Sequence, residues 1–133
     1  MKKLCLILFS ISLLASCKKN DDAKSQQRLL VTGLYKGTFS RSGLDTADIS
    51  LSIVGNRFEG QGSHQNYPAI CSGSFSENQS SITFQDSCAW PANFDWSLIL
   101  NGRYEFSVDS KNVRIWRING SSTDEYVLSR LTR

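Results

Sequence analysis

The sequence predicts an all-β domain of eight antiparallel strands that close into an up-and-down barrel, with a two-sheet β-sandwich as the alternative. From Thr32 onward apolar and polar residues alternate with a period of two, and no stretch sustains the 3.6-residue period of a helix. The chain has 133 residues, of which 40 % are hydrophobic and 20 % charged, so it suits one globular domain and not a disordered chain. The strands are expected at residues 33–41, 47–54, 57–63, 70–76, 80–85, 95–108, 112–118 and 125–131.

The first five strands are predicted from one apolar side chain at every second position, with turn signals between them. Gly55-Asn56 separates the second strand from the third, and Glu77-Asn78 separates the fourth from the fifth. The polar partners in this alternation are mostly serine and threonine, which suit the solvated face of an antiparallel sheet. The apolar members are Tyr35, Phe39, Ile49, Leu51, Ile53, Phe58, Phe75, Ile82 and Phe84.

The sixth strand has two interpretations. Leu100-Asn101-Gly102-Arg103 resembles a two-residue hairpin, which would divide residues 95–108 into two strands. One continuous strand, bulged at Gly102, instead keeps a single apolar row from Trp96 to Val108. We favour the continuous strand because a change of register would turn every side chain to the opposite face. Its inward row is Trp96, Leu98, Leu100, Gly102, Tyr104, Phe106 and Val108.

The last two strands carry Val113 and Ile115, then Tyr126 and Leu128, on their apolar faces. Eight short strands with tight connections favour a closed barrel over a sandwich, because closure removes the sheet edges that promote aggregation. A barrel of this size holds packed side chains or one small ligand. We therefore expect residues 32–133 to form the barrel domain.

The N-terminal segment predicts export. Lys2 and Lys3 precede an apolar run over residues 4–14 that is too short to span a bilayer as a helix, as in a signal peptide over residues 1–16. Leu14-Ala15-Ser16-Cys17 resembles the bacterial lipobox, in which the cysteine is acylated and becomes the mature N-terminus; an ordinary secretory signal is the alternative. The resemblance implies attachment to the membrane through acyl chains on Cys17.

Residues 17–31 are expected to form a flexible tether, because they begin with a polar, charged stretch without periodicity. Lys18 stands where an aspartate commonly retains lipoproteins in the inner membrane, so we expect the outer membrane of a Gram-negative bacterium. The run over residues 18–22 resembles short signals that send some of these lipoproteins to the cell surface; a plain spacer is the alternative. Without residues 1–16 the chain has 13 basic and 12 acidic residues, and this balance argues against nucleic-acid binding.

Two cysteines remain once Cys5 is removed with the leader and Cys17 is acylated. Cys71 and Cys88 are expected to form a disulfide, because the cell envelope is oxidising. A metal site or a nucleophilic thiol would need histidine, and His64 is the only one in the sequence. We therefore expect no metal and no cofactor. With no phosphate-binding or dinucleotide-binding glycine motif either, we expect no catalytic residue and no enzyme activity.

The chain from Gly33 to Arg130 resembles the small lipocalin-like lipoproteins of Gram-negative bacteria. Gly33-Leu34-Tyr35 stands where lipocalins carry Gly-x-Trp, and Arg130 stands where their last-strand arginine packs over that ring. The segment over residues 88–96 is similar to a recurrent feature of the short members. Tyrosine replaces tryptophan here, and the chain leaves no room for the usual C-terminal helix. The resemblance implies a barrel that binds a small apolar or amphipathic ligand.

Two hypotheses follow for binding. In the first, a small ligand enters a barrel mouth lined by Tyr35, Phe39, Trp96, Tyr104 and Phe106. In the second, the loop from Trp90 to Trp96 binds a protein, as in a hydrolase inhibitor or an accessory subunit of a surface complex. We expect Trp90 to be the more exposed tryptophan of this loop; the structural alternative has Trp90 plugging one barrel end and Trp96 in the core. Arg114, Trp116 and Arg117 form a second cluster, interpreted as the outer face of a strand.

Overall fold

A computed structural model describes residues 29–132 and shows a closed antiparallel barrel. Each strand pairs with the next, and the first pairs with the last, so the predicted up-and-down barrel is confirmed and the sandwich alternative is wrong. The predicted signal peptide over residues 1–16, the predicted acylation site Cys17 and residues 17–28 of the predicted tether lie outside the described residues. The strands are β1 (Gly33–Arg41), β2 (Ala47–Val54), β3 (Arg57–Gly62), β4 (Ser72–Glu77), β5 (Ser81–Asp86), β6 (Gly102–Asp109), β7 (Asn112–Asn119) and β8 (Ser122–Arg130).

Every second side chain points into the barrel, as the alternation predicts. On β2 the buried residues are Ala47, Ile49, Leu51 and Ile53, separated by more exposed polar ones. Aromatic rings fill the interior and contact one another edge to face or tilted, in the arrangements that aromatic pairs prefer. The ring pairs along the interior are Phe39–Tyr126 (4.8 Å), Tyr104–Tyr126 (6.0 Å), Phe84–Tyr104 (5.8 Å) and Phe58–Phe84 (5.2 Å).

The barrel has two ends of different construction. At the terminal end, where β1 begins and β8 finishes, the strands are joined by short turns at 55–56, 78–80 and 110–111. At the loop end, longer connections at 63–71 and 87–101 join β3 to β4 and β5 to β6. Leu30 is fully buried in the core at the terminal end, so the packed domain includes residues of the segment expected to be tether. The described residues include no helix that is both long and apolar enough to cross a bilayer.

The continuous sixth strand predicted over residues 95–108 is wrong, and so is the hairpin at Leu100–Arg103. The chain forms a single 3-10 turn at Trp96–Leu98, then a parallel bridge from Ile99 to Ala69, and β6 begins only at Gly102. Gly102 has a φ of 85°, a conformation that favours glycine, and it redirects the chain into the strand. The side chains predicted to point inward do so from Leu100 to Phe106, but Trp96 does not.

Candidate functional site

Four of the five residues predicted to line the barrel mouth belong to the packed core. Tyr35, Phe39, Tyr104 and Phe106 are each at most 3 % exposed and belong to one hydrophobic cluster. Trp96, the fifth, lies outside this cluster on the 3-10 turn, so its placement on the inward row is wrong. A ligand-binding role for the other four stays a prediction, and it requires the core rings to separate.

The predicted disulfide between Cys71 and Cys88 is present and joins the two long connections of the loop end. The same two connections are joined again by main-chain hydrogen bonds. The Ala69 N–H donates to the Leu98 carbonyl (3.0 Å), and the Leu100 N–H donates to the Ala69 carbonyl (2.9 Å). The covalent bond and the bridge together hold both connections as one unit, which limits how far either can move alone.

A buried ion cluster fixes this unit to the barrel wall. Asp124, only 1 % exposed, accepts hydrogen bonds from Arg41 Nε (2.5 Å) and Arg41 Nη2 (2.8 Å) and from Arg117 Nε (3.1 Å). Both guanidinium groups also donate to the Ser97 carbonyl, and Arg117 donates to the Asn101 carbonyl (3.0 Å). Charge-assisted bonds to the main chain of the 87–101 connection therefore determine where its 3-10 turn lies.

Hydrogen bonds and burial shift the pKa values of groups in and beside the cluster. The hydrogen bond to Asp124 raises the pKa of Arg41 above its usual value. A hydrogen bond from the Ser97 hydroxyl lowers the pKa of Asp95, the residue that caps the 3-10 turn. Burial raises the pKa of Tyr104 to about 12, with the Arg117 guanidinium 4.5 Å from its ring centre. Arg41 and Tyr104 therefore stay protonated around neutral pH, and Asp95 stays ionised.

The two tryptophans of the loop have the opposite exposure from that expected. Trp90 is half-buried: its Nε1 donates to Asp86 Oδ2 (2.7 Å), and its ring stacks on Phe94 (5.1 Å). Trp96 is 58 % exposed, although its neighbour Ser97 is held by two arginines. The prediction that Trp90 is the more exposed is wrong, as is the alternative that Trp96 is core. An Asp-Trp-Ser sequence is an N-cap signal, and it could have indicated the turn.

The sequence reasoning grouped Arg114, Trp116 and Arg117, but the structure separates them. Arg114 lies over the Trp116 ring (4.7 Å) and pairs with Glu125 on the outer wall, as expected for a solvated strand face. Arg117 points inward to Asp124. The signal that could have identified this cluster is an aspartate in the inward row of the last strand, two residues before Tyr126.

Arg130 lies opposite Tyr35 in the β1–β8 register, as the lipocalin resemblance implies. The expected stacking of its guanidinium over that ring is not found among residues 29–132, where the cation–ring contacts are Arg114 with Trp116 and Arg117 with Tyr104.

His64 is exposed on the 63–71 connection, where its Nδ1 lies 3.2 Å from the Ser63 hydroxyl. It borders a shallow cleft of about 190 Å³ that reaches Trp90. In residues 29–132 no three His, Cys, Asp or Glu side chains are arranged to hold a metal ion. The residues lining the cleft are Gln61, Gly62, His64, Gln65, Asn66, Pro68, Ala69, Ile70 and Trp90.

Comparison of the chain with protein-family models, with curated proteins and with solved structures found no match in any of the three. The closed eight-stranded barrel is consistent with a lipocalin-like fold.

Proposed function

We propose that this chain is a non-enzymatic, lipid-anchored module of the outer membrane that binds a protein partner through the loop end of its barrel. The observation that carries the proposal is Trp96, a large aromatic side chain held in solvent by a buried ion cluster. Tryptophan on a rigid support is a frequent binding hot spot, because little ordering entropy is lost when the partner arrives.

A protein partner fits the geometry better than a small ligand inside the barrel. The predicted mouth residues pack ring against ring, so an apolar ligand would have to displace the core. Leu44 and Ile118 are also exposed at the loop end, on the 42–46 connection and at the end of β7. Together with Trp96 they give three apolar anchors around one end, two on connections and one at the end of a strand.

The charge around these anchors indicates the kind of partner. Asp45, Asp48 and Asp95 are exposed at the loop end, where Arg103 is the exposed basic residue among those described. Arg41 and Arg117 are committed to Asp124 and the main chain, and Arg41 also lies 3.7 Å from Asp95. Acidic groups around an apolar centre favour a partner with a basic rim, because complementary charges speed association and exclude wrong partners. A hydrolase to be inhibited and a subunit of a surface complex are the two partner classes we propose.

Replacing Trp96 by alanine is expected to weaken partner binding about 30-fold, the effect of losing a hot spot of ~2 kcal/mol. Trp116→Ala on the outer wall is the matched control and should bind as the wild type does. The partner is first cross-linked and identified from outer-membrane extracts, and a panel of purified peptidoglycan hydrolases and proteases is screened for inhibition. Dissociation constants for the three proteins then decide between the outcomes. Equal constants for Trp96→Ala and the wild type would contradict the proposal.

Native mass spectrometry is a second test. A co-purified lipid in the barrel would favour the small-ligand hypothesis instead.

Replacing Cys17 by alanine is expected to release the protein from the membrane, or to leave it unprocessed. Each buried methylene contributes about 0.8 kcal/mol to membrane attachment, so several acyl chains hold a domain stably. The measurement is fractionation with a carbonate wash, followed by the mass of the mature N-terminus. Cys71→Ser, which removes a different cysteine, should stay in the membrane pellet. If Cys17→Ala also stays in the washed pellet, the lipoprotein interpretation is wrong.

A further inference from the structure

We propose that the terminal end of the barrel rests on the bilayer, with an apolar patch inserted among anionic lipid headgroups and the loop end facing away. The inference rests on the proposed lipid anchor and adds an orientation and a membrane-contact surface. We define the terminal patch as Val31, Leu34, Val54 and Leu131, which are between 43 and 65 % exposed. They are half of the eight large hydrophobic side chains that are exposed in the described residues.

Strand pairing makes the patch continuous. Leu34 lies opposite Ser52, and Val54 is two residues further along the same face of β2. Side chains in this diagonal relation are neighbours about 7–8 Å apart on one face of a sheet. The Leu131 N–H donates to the Leu34 carbonyl (2.8 Å), which places the end of the chain on the other side of Leu34.

Val31 joins the patch through the residue that follows it. The Gly55 N–H donates to the Thr32 hydroxyl oxygen (3.1 Å), so the segment before β1 lies against the β2–β3 turn, next to Val54. The Tyr35 hydroxyl donates to the Val31 carbonyl (2.6 Å) and fixes that segment from the core side. The four side chains therefore share one edge of the terminal end.

The chain enters the barrel at this same end. The Leu29 and Leu30 N–H groups donate to the two carboxylate oxygens of Glu77 (3.0 and 3.1 Å). Cys17 precedes Leu29 by 12 residues. A segment of that length spans at most about 40 Å when fully extended. The anchor thus keeps the terminal end near the bilayer but does not fix the orientation of the domain. The terminal patch favours the orientation in which this end faces the bilayer.

Basic side chains surround the terminal patch. Lys36, Arg57 and Lys111 are exposed and Arg130 is half-exposed around this end, while Glu59 and Asp109 are the exposed acidic residues there. Glu77 is engaged by the main chain. Basic groups close to a membrane surface are attracted to anionic headgroups. The loop end, with its exposed aspartates, would be repelled by the same surface.

Tryptophan quenching by brominated lipids tests the orientation. The full-length lipidated protein is placed in phosphatidylcholine–phosphatidylglycerol vesicles. Val54→Trp (65 % exposed) is compared with Leu44→Trp (57 % exposed), which adds a tryptophan on the loop end. We expect about half of the fluorescence added by Val54→Trp to be lost, because a docked side chain reaches 5–10 Å into the headgroup region, within range of the bromines. Leu44→Trp should match the wild type, in which Trp90 and Trp96 lie at the far end and Trp116 lies midway along β7.

Flotation of the vesicles separates the two proposals. If no variant floats with the vesicles, both the anchor and the docking are overturned. If the protein floats and Val54→Trp is unquenched, or Leu44→Trp is quenched as strongly, the docking alone is overturned. If the protein floats as a dimer and Val54→Trp is unquenched, a second copy of the chain covers the terminal patch. That outcome also overturns the docking proposal.

Discussion

Asp124→Ala is expected to lower the free energy of unfolding by about 3 kcal/mol, because removing the shared carboxylate of a buried ion cluster leaves two guanidinium groups without their main counter-charge. Here two guanidinium groups, Arg41 and Arg117, lose their common carboxylate in the interior of the loop end. Urea denaturation measures the change. Asp109→Ala, on an exposed residue, is the control and should change stability by no more than about 0.5 kcal/mol.

The same substitution is expected to free the turn that carries Trp96. Without Asp124 the two arginines no longer have fixed positions from which to hold the Ser97 carbonyl. Acrylamide quenching of tryptophan fluorescence should therefore increase in the folded Asp124→Ala protein, and Asp124→Asn should show a smaller increase because it keeps one acceptor oxygen. A loss of stability as small as that of Asp109→Ala would show that the cluster does not hold the loop end together.

Gly37→Ala is expected to destabilise the barrel by about 3 kcal/mol or more, because the strand pair that closes the barrel would have to separate. A Cβ atom at Gly37 would lie 1.9 Å from the Val127 carbonyl oxygen and 2.9 Å from the Leu128 Cα, both in the main chain of β8. Main-chain atoms in a paired strand cannot move aside as a flexible side chain does, so relief requires loss of β1–β8 hydrogen bonds.

Gly62→Ala is the matched control for this prediction. It places the same methyl group in a strand, but its nearest neighbour is the Tyr67 carbonyl oxygen at 3.1 Å. We expect a cost of about 1 kcal/mol or less, since small shifts relieve such a contact. The urea midpoints and soluble yields of the two variants are compared; equal midpoints would mean that β1 and β8 tolerate a side chain between them.

The fold follows from the sequence because its main signal is local. An apolar side chain at every second position determines which face of a strand is buried. Ile49, Leu51 and Ile53 show this alternation within one short segment, so it can be recognised without knowing the rest of the chain. The pairing of Cys71 with Cys88 was also predictable, since no other cysteines remain once Cys5 and Cys17 are assigned elsewhere.

The candidate site did not follow from the sequence, because its decisive contacts are distant along the chain. Arg41 and Asp124 are separated by 83 residues, and Arg41 and Ser97 by 56. These contacts pull residues 96–98 into a turn, against an alternation that favours a strand through Trp96. Long-range charge-assisted hydrogen bonds outweighed local β preference there, in the segment that carries the proposed function.

The sequence by itself predicted the number of strands, their pattern outside residues 95–101 and the disulfide, because alternation is a property of short segments and the cysteine pairing follows once Cys5 and Cys17 are assigned to the predicted leader and anchor. Only the tertiary structure decided which tryptophan is exposed and which arginine points inward. Those outcomes depend on barrel closure, which brings β1, β7 and β8 around the 87–101 connection, and exposure is decided by what surrounds a side chain after closure.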